Sequence, residues 1–330
     1  NVGVGMNSLL ALTTGSDNVA VGSATLETIT TQSANTAVGD RALRANEAAS
    51  NTAVGYFALD ANTTGTQNTA VGSVALDANT TGNFNVACGQ AALGANTTGS
   101  QNVAVGQAAL RNNTTASNNI GIGISALDAN TTGASNTAVG AFSLKSVTTG
   151  QQNSALGRGA LSDNTGSSNT AVGYNALTSN TTASNNTAVG HQSLLVNTTG
   201  AGNTGIGQNA LATNTTASNN TSVGFKSLEA NSTGADNSAF GKGALSSNTT
   251  GADNNALGVN ALLANTTGVS NVAVGRSALA TNTTADNNTA VGHHALLDNT
   301  TGTMNVALGT FGLTSNTTGD LNVGIGMEAL

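Results

Sequence analysis

The sequence predicts an all-β parallel β-solenoid of about twenty stacked coils, and three observations predict it. A 17-residue unit recurs from end to end, as in NTAVGYFALDANTTGTQ at 51–67 followed at once by NTAVGSVALDANTTGNF at 68–84. That unit is half the length of a helix-turn-helix repeat, which runs to about 34 residues. The composition suits short strands and turns: 42 Gly, no Pro, 2% aromatic and 7% charged residues in 330.

Repeats begin at Asn1, Asn18, Asn35, Asn51 and onward to Asn322, giving nineteen full repeats and a nine-residue partial repeat. Those starting at Asn35 and Asn153 have 16 residues and the other full ones 17, so 1–330 reads as one continuous repeat domain without a linker. The chain opens without Met or a leader and stops mid-repeat at Leu330, which reads as a segment of a longer chain.

Each repeat can be numbered from position 1 to position 17. Asn at position 1, Gly at position 5 and Leu at position 9 are present in all twenty copies, from Asn1, Gly5 and Leu9 to Asn322, Gly326 and Leu330. Positions 1–4 are predicted to form a short strand, because position 2 is mostly Thr or Val and position 4 is always apolar. Position 4 and the position-9 Leu are expected to stack into a thin core. Position 3, never larger than Ser, then faces outward, where a neighbouring chain packs closely. Gly at position 5 makes a corner, positions 8 and 9 a second short strand, and the NTTG stretch returns the chain.

Position 15 is usually Gly but is Ala at Ala116, Ala183, Ala217 and Ala285, and those repeats end in Asn118, Asn185, Asn219 and Asn287. Gly and Asn both tolerate a left-handed backbone, so the closing turn is expected to place one positive φ at either position. Two large side chains per coil do not offset the ordering of 17 residues. Asn ladders at positions 1 and 12, hydrogen bonds between coils and association between chains are expected to supply the rest. At about 4.8 Å per coil, twenty coils give a rod on the order of 95 Å long.

The same inventory restricts function. A net charge of -7, with no basic runs, gives no stripe for nucleic acid, and no stretch approaches the length of a membrane-spanning helix. Cys88 stands alone at position 4, where it reads as a small buried hydrophobe. His191, His293 and His294 occupy positions 6 and 7 with no recurring acidic or nucleophilic partner, so neither catalysis nor a metal site is expected. The glycines form no phosphate cradle and no calcium-binding nonapeptide, and no cofactor is implied. Carboxylates are scattered, unlike the clustered acids of a polysaccharide-cleaving solenoid. The Asn-Thr-Thr and Asn-Ser-Thr triplets at Asn62, Asn79, Asn231 and Asn316 match the glycosylation pattern but read as turn and ladder residues.

Positions 6 and 7 vary most, and they collect Tyr56, Phe57, Phe142, Tyr174, His191, Phe225, His293, His294 and Phe311 along with Arg41, Arg158, Lys226, Lys242 and Arg276. This ridge is the candidate contact surface if a host-surface glycan or protein is read laterally.

The motif N-[T/V]-A-V-G-x-x-[A/S]-L, as in Asn186 to Leu194 (NTAVGHQSL), resembles the head repeats of trimeric autotransporter adhesins of the YadA type and is similar to repeats in phage tail fibres. The resemblance covers all 330 residues, although the 17-residue period and the constant NTTG segment depart from the adhesin pattern. It implies a left-handed β-roll in a homotrimer that presents a stiff surface. The expected function is therefore the shaft or adhesive head of an extracellular, cell-surface or virion-borne fibre, self-associating laterally or end to end. The alternative is a monomeric solenoid binding ice or glycan through its Asn-Thr-Thr face.

Overall fold

A computed structural model describes residues 1–329; Leu330, the last position-9 Leu, lies outside the described residues. The chain forms an all-β parallel solenoid with one turn per repeat and no helix among the described residues. It divides into two compact units, Asn1–Ser167 and Ser168–Leu330. The first unit holds strands β1 (Val2–Val4) to β10 (Ser154–Leu156), and the second β11 (Thr170–Val172) to β20 (Val323–Ile325). Within each unit every strand pairs in parallel with the next, one repeat apart in register, as Val2↔Val19 in the first and Thr187↔Thr204 in the second.

The strand spans positions 2–4 only, and its faces are the reverse of the expected ones. Position 3 is the buried one: Ala53, Ala104, Ala188 and Ala273 are fully enclosed. Positions 2 and 4 point outward, with Val54, Val71, Ile122, Ile206 and Phe240 exposed. Cys88, also at position 4, is exposed rather than a buried small hydrophobe. The physical reason is width. Position 3 lies against the Leu of position 9 and the small residue of position 8, so that a Cβ added at Gly205 would sit 3.3 Å from Leu194 Cγ. A larger side chain at position 3 would spread the coil, and alternation along the strand then puts both neighbours outside.

Positions 8 and 9 form turns instead of a second strand. In coil 12 (186–202) the Ser193 N–H donates to Gly190 O at 3.4 Å and the Asn197 N–H to Leu194 O at 3.3 Å. Position 7 and position 9 both have positive φ, as at Gln192 (54°), the left-handed third residue of the 190–193 turn, and Leu194 (50°), which opens the 194–197 turn. Leu in that region is strained by roughly 1–2 kcal/mol. Leu194 is completely buried, and burying a Leu side chain contributes about 1.5–3 kcal/mol, so the position-9 column offsets its own strain. Gly190 at position 5 has φ 133°, and an added Cβ would lie 2.6 Å from the carbonyl oxygen of Gly207 in the next coil, which explains Gly in every copy.

The rest of the interior is amide. Asn186 and Asn197, at positions 1 and 12, are fully buried, and both side-chain Nδ2 groups donate to Gly200 O, each at 2.9 Å. The ladders run from coil to coil: the Asn203 N–H donates to Asn186 Oδ1 at 2.9 Å, and Asn214 Nδ2 to Asn197 Oδ1 at 2.8 Å. The position-15 carbonyl is thereby satisfied twice from inside the coil, and the residue bearing it must be small. A Cβ on Gly200 would lie 2.6 Å from Asn197 Oδ1. Gly at this position is therefore steric, and Ala116, Ala183, Ala217 and Ala285 are buried there.

The closing turn places its positive φ at the last position of the coil whether position 15 is Gly or Ala: Gln67 (57°), Gln101 (59°), Asn118 (63°) and Asn219 (61°). The expected exchange between two turn types does not occur. The 16-residue coils are absorbed at positions 13 and 14, where in a full coil both Thr63 and Thr64 N–H groups donate to the single carbonyl of Thr80, at 3.0 and 3.1 Å. One of the two is redundant. In the short coil 35–50 the Glu47 N–H alone donates to Thr63 O at 2.9 Å, and the strands stay aligned as Thr36↔Thr52.

Candidate binding surfaces

Three surfaces run along each unit: the strand face of positions 2 and 4, the ridge of positions 6, 7 and 10, and the Asn-Thr-Thr segment. The strand face carries no charged residue at any of its positions. In the second unit four successive coils present the pairs Thr170/Val172, Thr187/Val189, Thr204/Ile206 and Thr221/Val223, and these Thr hydroxyls make no hydrogen bond among the described residues. A parallel sheet repeats such pairs at about 4.8 Å between strands and about 6.6 Å along each strand.

The Asn-Thr-Thr segment is mostly turned inward. Asn62, Asn79 and Asn231 are fully buried in the amide ladder, so they present no amide to solvent and no acceptor for a glycan. The position-13 hydroxyls are consumed as well, with Thr198 Oγ1 donating to Thr215 O at 3.0 Å. The position-14 Thr is exposed, as at Thr199 and Thr216, and at position 13 so are Thr30, Thr148, Thr181 and Thr317.

The nine ridge residues do not converge; they form separate clusters. In the first unit the Tyr56 and Phe57 rings lie 4.3 Å apart, with the Arg41 guanidinium 4.3 Å over Phe57. Beside them Asp60 takes a two-pronged contact from Arg44, at 2.9 and 3.1 Å. Phe142 has the cations of Lys145 and Arg158 at 5.6 and 6.0 Å. In the second unit Tyr174 stacks on His191 at 5.5 Å, and Phe225 lies 5.8 Å from the Lys226 ammonium. His293 and His294 stack at 3.8 Å, with Phe311 edge-on to both at 5.4 and 5.3 Å. Partial desolvation, then the charges of His293 and Arg276, hold the His294 pKa below its ordinary value.

Position 10 belongs to this ridge and was not singled out from the sequence. It holds Arg44, Asp60, Asp77, Arg111, Asp128, Lys145 and Glu229, and Arg111 reaches Asp128 at 3.0 Å. Partial burial, reinforced by the negative charge of Asp60, raises the Asp77 pKa, against backbone N–H groups that pull it down. The signal available was the distribution of charge: all eight Lys and Arg fall at positions 6, 7 or 10.

Among the described residues no three His, Cys, Asp or Glu side chains come together as a metal cage. No helix is long and apolar enough to cross a membrane. The arrangement offers surfaces for contact: a long uncharged face, and a ridge of rings and paired charges. The chain matches no protein-family model, and no curated protein is similar to it.

Proposed function

We propose that this chain is a structural segment of an extracellular or virion-borne fibre, built by lateral self-association of parallel copies, with the homotrimer as the assembly. It acts by stiffness and by presenting its ridge to a host-surface glycan or protein. The observation that carries this reading is the strand face. Position 4 is apolar in every coil yet points outward, and Val54, Val71, Val105 and Ile122 in the first unit and Ile206, Phe240, Leu257 and Leu308 in the second are exposed. Continuous apolar faces of this kind on soluble proteins mark interaction surfaces. The small residue of position 3 no longer supports the assembly, since it is internal. Light scattering after size exclusion tests the proposal: the full chain is expected at three times its mass, and Val189→Lys with Ile206→Lys to shift it toward the monomer. A monomeric wild-type chain would overturn it.

A second reading rests on the unpartnered Thr hydroxyls of Thr170, Thr187, Thr204 and Thr221. Their regular spacing beside β-branched methyls favours a monomer that orders water or ice on the strand face, rather than on the Asn-Thr-Thr segment. Thermal hysteresis abolished by Thr187→Lys would favour it over the fibre.

A further inference from the structure

Over coils 14–17 of the second unit the strand face has two edges of opposite charge, basic at positions 6 and 7 and acidic at positions 16 and 17. One edge is the ridge, where Lys226, Lys242 and Arg276 project at positions 6 and 7. The other is the closing turn at positions 16 and 17, which carries Asp236, Asp253, Asp286 and Asp320 and no Lys or Arg. The opposite charges also share coils. Lys226 and Asp236 belong to coil 14 (220–236), Lys242 and Asp253 to coil 15 (237–253), and Arg276 and Asp286 to coil 17 (271–287). Coil 16 (254–270) has no charge at either edge and has Val259 and Val269 there instead.

No charge of one edge is paired with a charge of the other inside the chain. Position 17 and position 6 of the next coil lie at opposite ends of the extended strand of positions 2–4, whose three residues alone span about 10 Å, beyond ion-pair distance. Lys242, Arg276 and Asp253 make no ion pair among the described residues, and Lys226 meets the half-buried Glu229 of its own turn at 3.2 Å. Asp286 accepts from the Val269 N–H at 2.7 Å and Asp236 from Asn219 Nδ2 at 3.2 Å, which orients both carboxylates without neutralising them.

We infer that the partner of this surface is a second copy of the chain, parallel and level with the first, with the basic edge of one copy against the acidic edge of the next. The inference rests on the self-association proposed above and specifies its geometry. Like edges repel, so an antiparallel face-to-face dimer, which sets each edge against its like, is disfavoured. Repeated around an axis along the solenoid, a basic-to-acidic contact closes into a ring. Sliding one copy by a single coil sets Lys242 opposite Asp236 or the neutral coil 16 and leaves charges unmatched, so the pattern also fixes the level of the copies.

The test uses the full chain in three forms: Lys226→Glu with Lys242→Glu, Asp236→Lys with Asp253→Lys, and all four together, each checked for an unchanged unfolding temperature. At low salt, sedimentation is expected to show the two reversals assembling at least about tenfold more weakly than wild type, and the fourfold swap recovering assembly. Reversals that assemble as tightly as wild type, or a fourfold swap as weak as either reversal, would overturn the edge pairing while leaving self-association standing. A wild-type chain that is monomeric throughout removes both.

Discussion

Position 4 and position 9 look alike in the sequence and differ in the fold. Both are apolar in every copy, yet Leu194 is fully enclosed on a left-handed backbone while Val189, five residues earlier, lies on the outer face of the strand. Constancy of apolar character therefore has two sources in this chain: the inside of the coil, and whatever covers its strand face.

Stability measurements on single substitutions separate the two. Leu194→Ala is expected to cost about 2–5 kcal/mol in chemical unfolding, since it opens a cavity in a column with no alternative filling. Val189→Ala is expected to cost under about 1 kcal/mol in the isolated chain, and an equal loss at the two sites would break the comparison.

The amide ladder gives the next largest effect. Asn113 accepts from Asn130 Nδ2 at 2.8 Å, but Asn130 Oδ1 has no partner, because position 12 of the following coil is Val147. Asn113→Ala is expected to cost about 1–3 kcal/mol and Asn130→Ala distinctly less, read from the same unfolding curves. Smaller still is the strain at position 7: Val74 sits at φ 49°, poorly suited to a β-branched residue, and Val74→Asn is expected to raise stability by about 1 kcal/mol.

The smallest effect is a pH dependence. The folded-state pKa of Asp77 is raised, so its ionisation opposes folding: the penalty is absent in acid and appears as pH rises through the raised value. Asp77→Asn is expected to raise the melting temperature near neutral pH, with the gain fading in acid. A gain that persists in acid would assign it to packing.

The solenoid, the repeat boundaries and the two Asn ladders were legible in the sequence, because each rests on residues that recur with the coil. The faces of the strand were not, since alternation fixes only that positions 2 and 4 agree and leaves open which side is inside. The steric limit set by Leu194 and its neighbours decides that, and it requires the folded cross-section. Nor could the turns at positions 7 and 9 be read: positive φ announces itself by Gly or Asn, and Leu at 46–57° carries no such mark. On the ridge, the residues were legible and their grouping was not, because Tyr174 and His191 meet across coils while other rings lack an aromatic neighbour.

The doubled N–H donation at Thr63 and Thr64, repeated at Thr80 and Thr81, Thr198 and Thr199 and Thr249 and Thr250, gives such coils one residue of slack at a single place on their circumference. Coils of 16 and 17 residues are interchangeable there with the strands kept in register, although position 12 of the coil before each short one is Ile29 or Val147 instead of Asn. Replication slippage or recombination that adds, drops or trims a repeat at this point changes how many coils there are and leaves their pitch alone, so such an array can evolve its reach in whole steps without redesign.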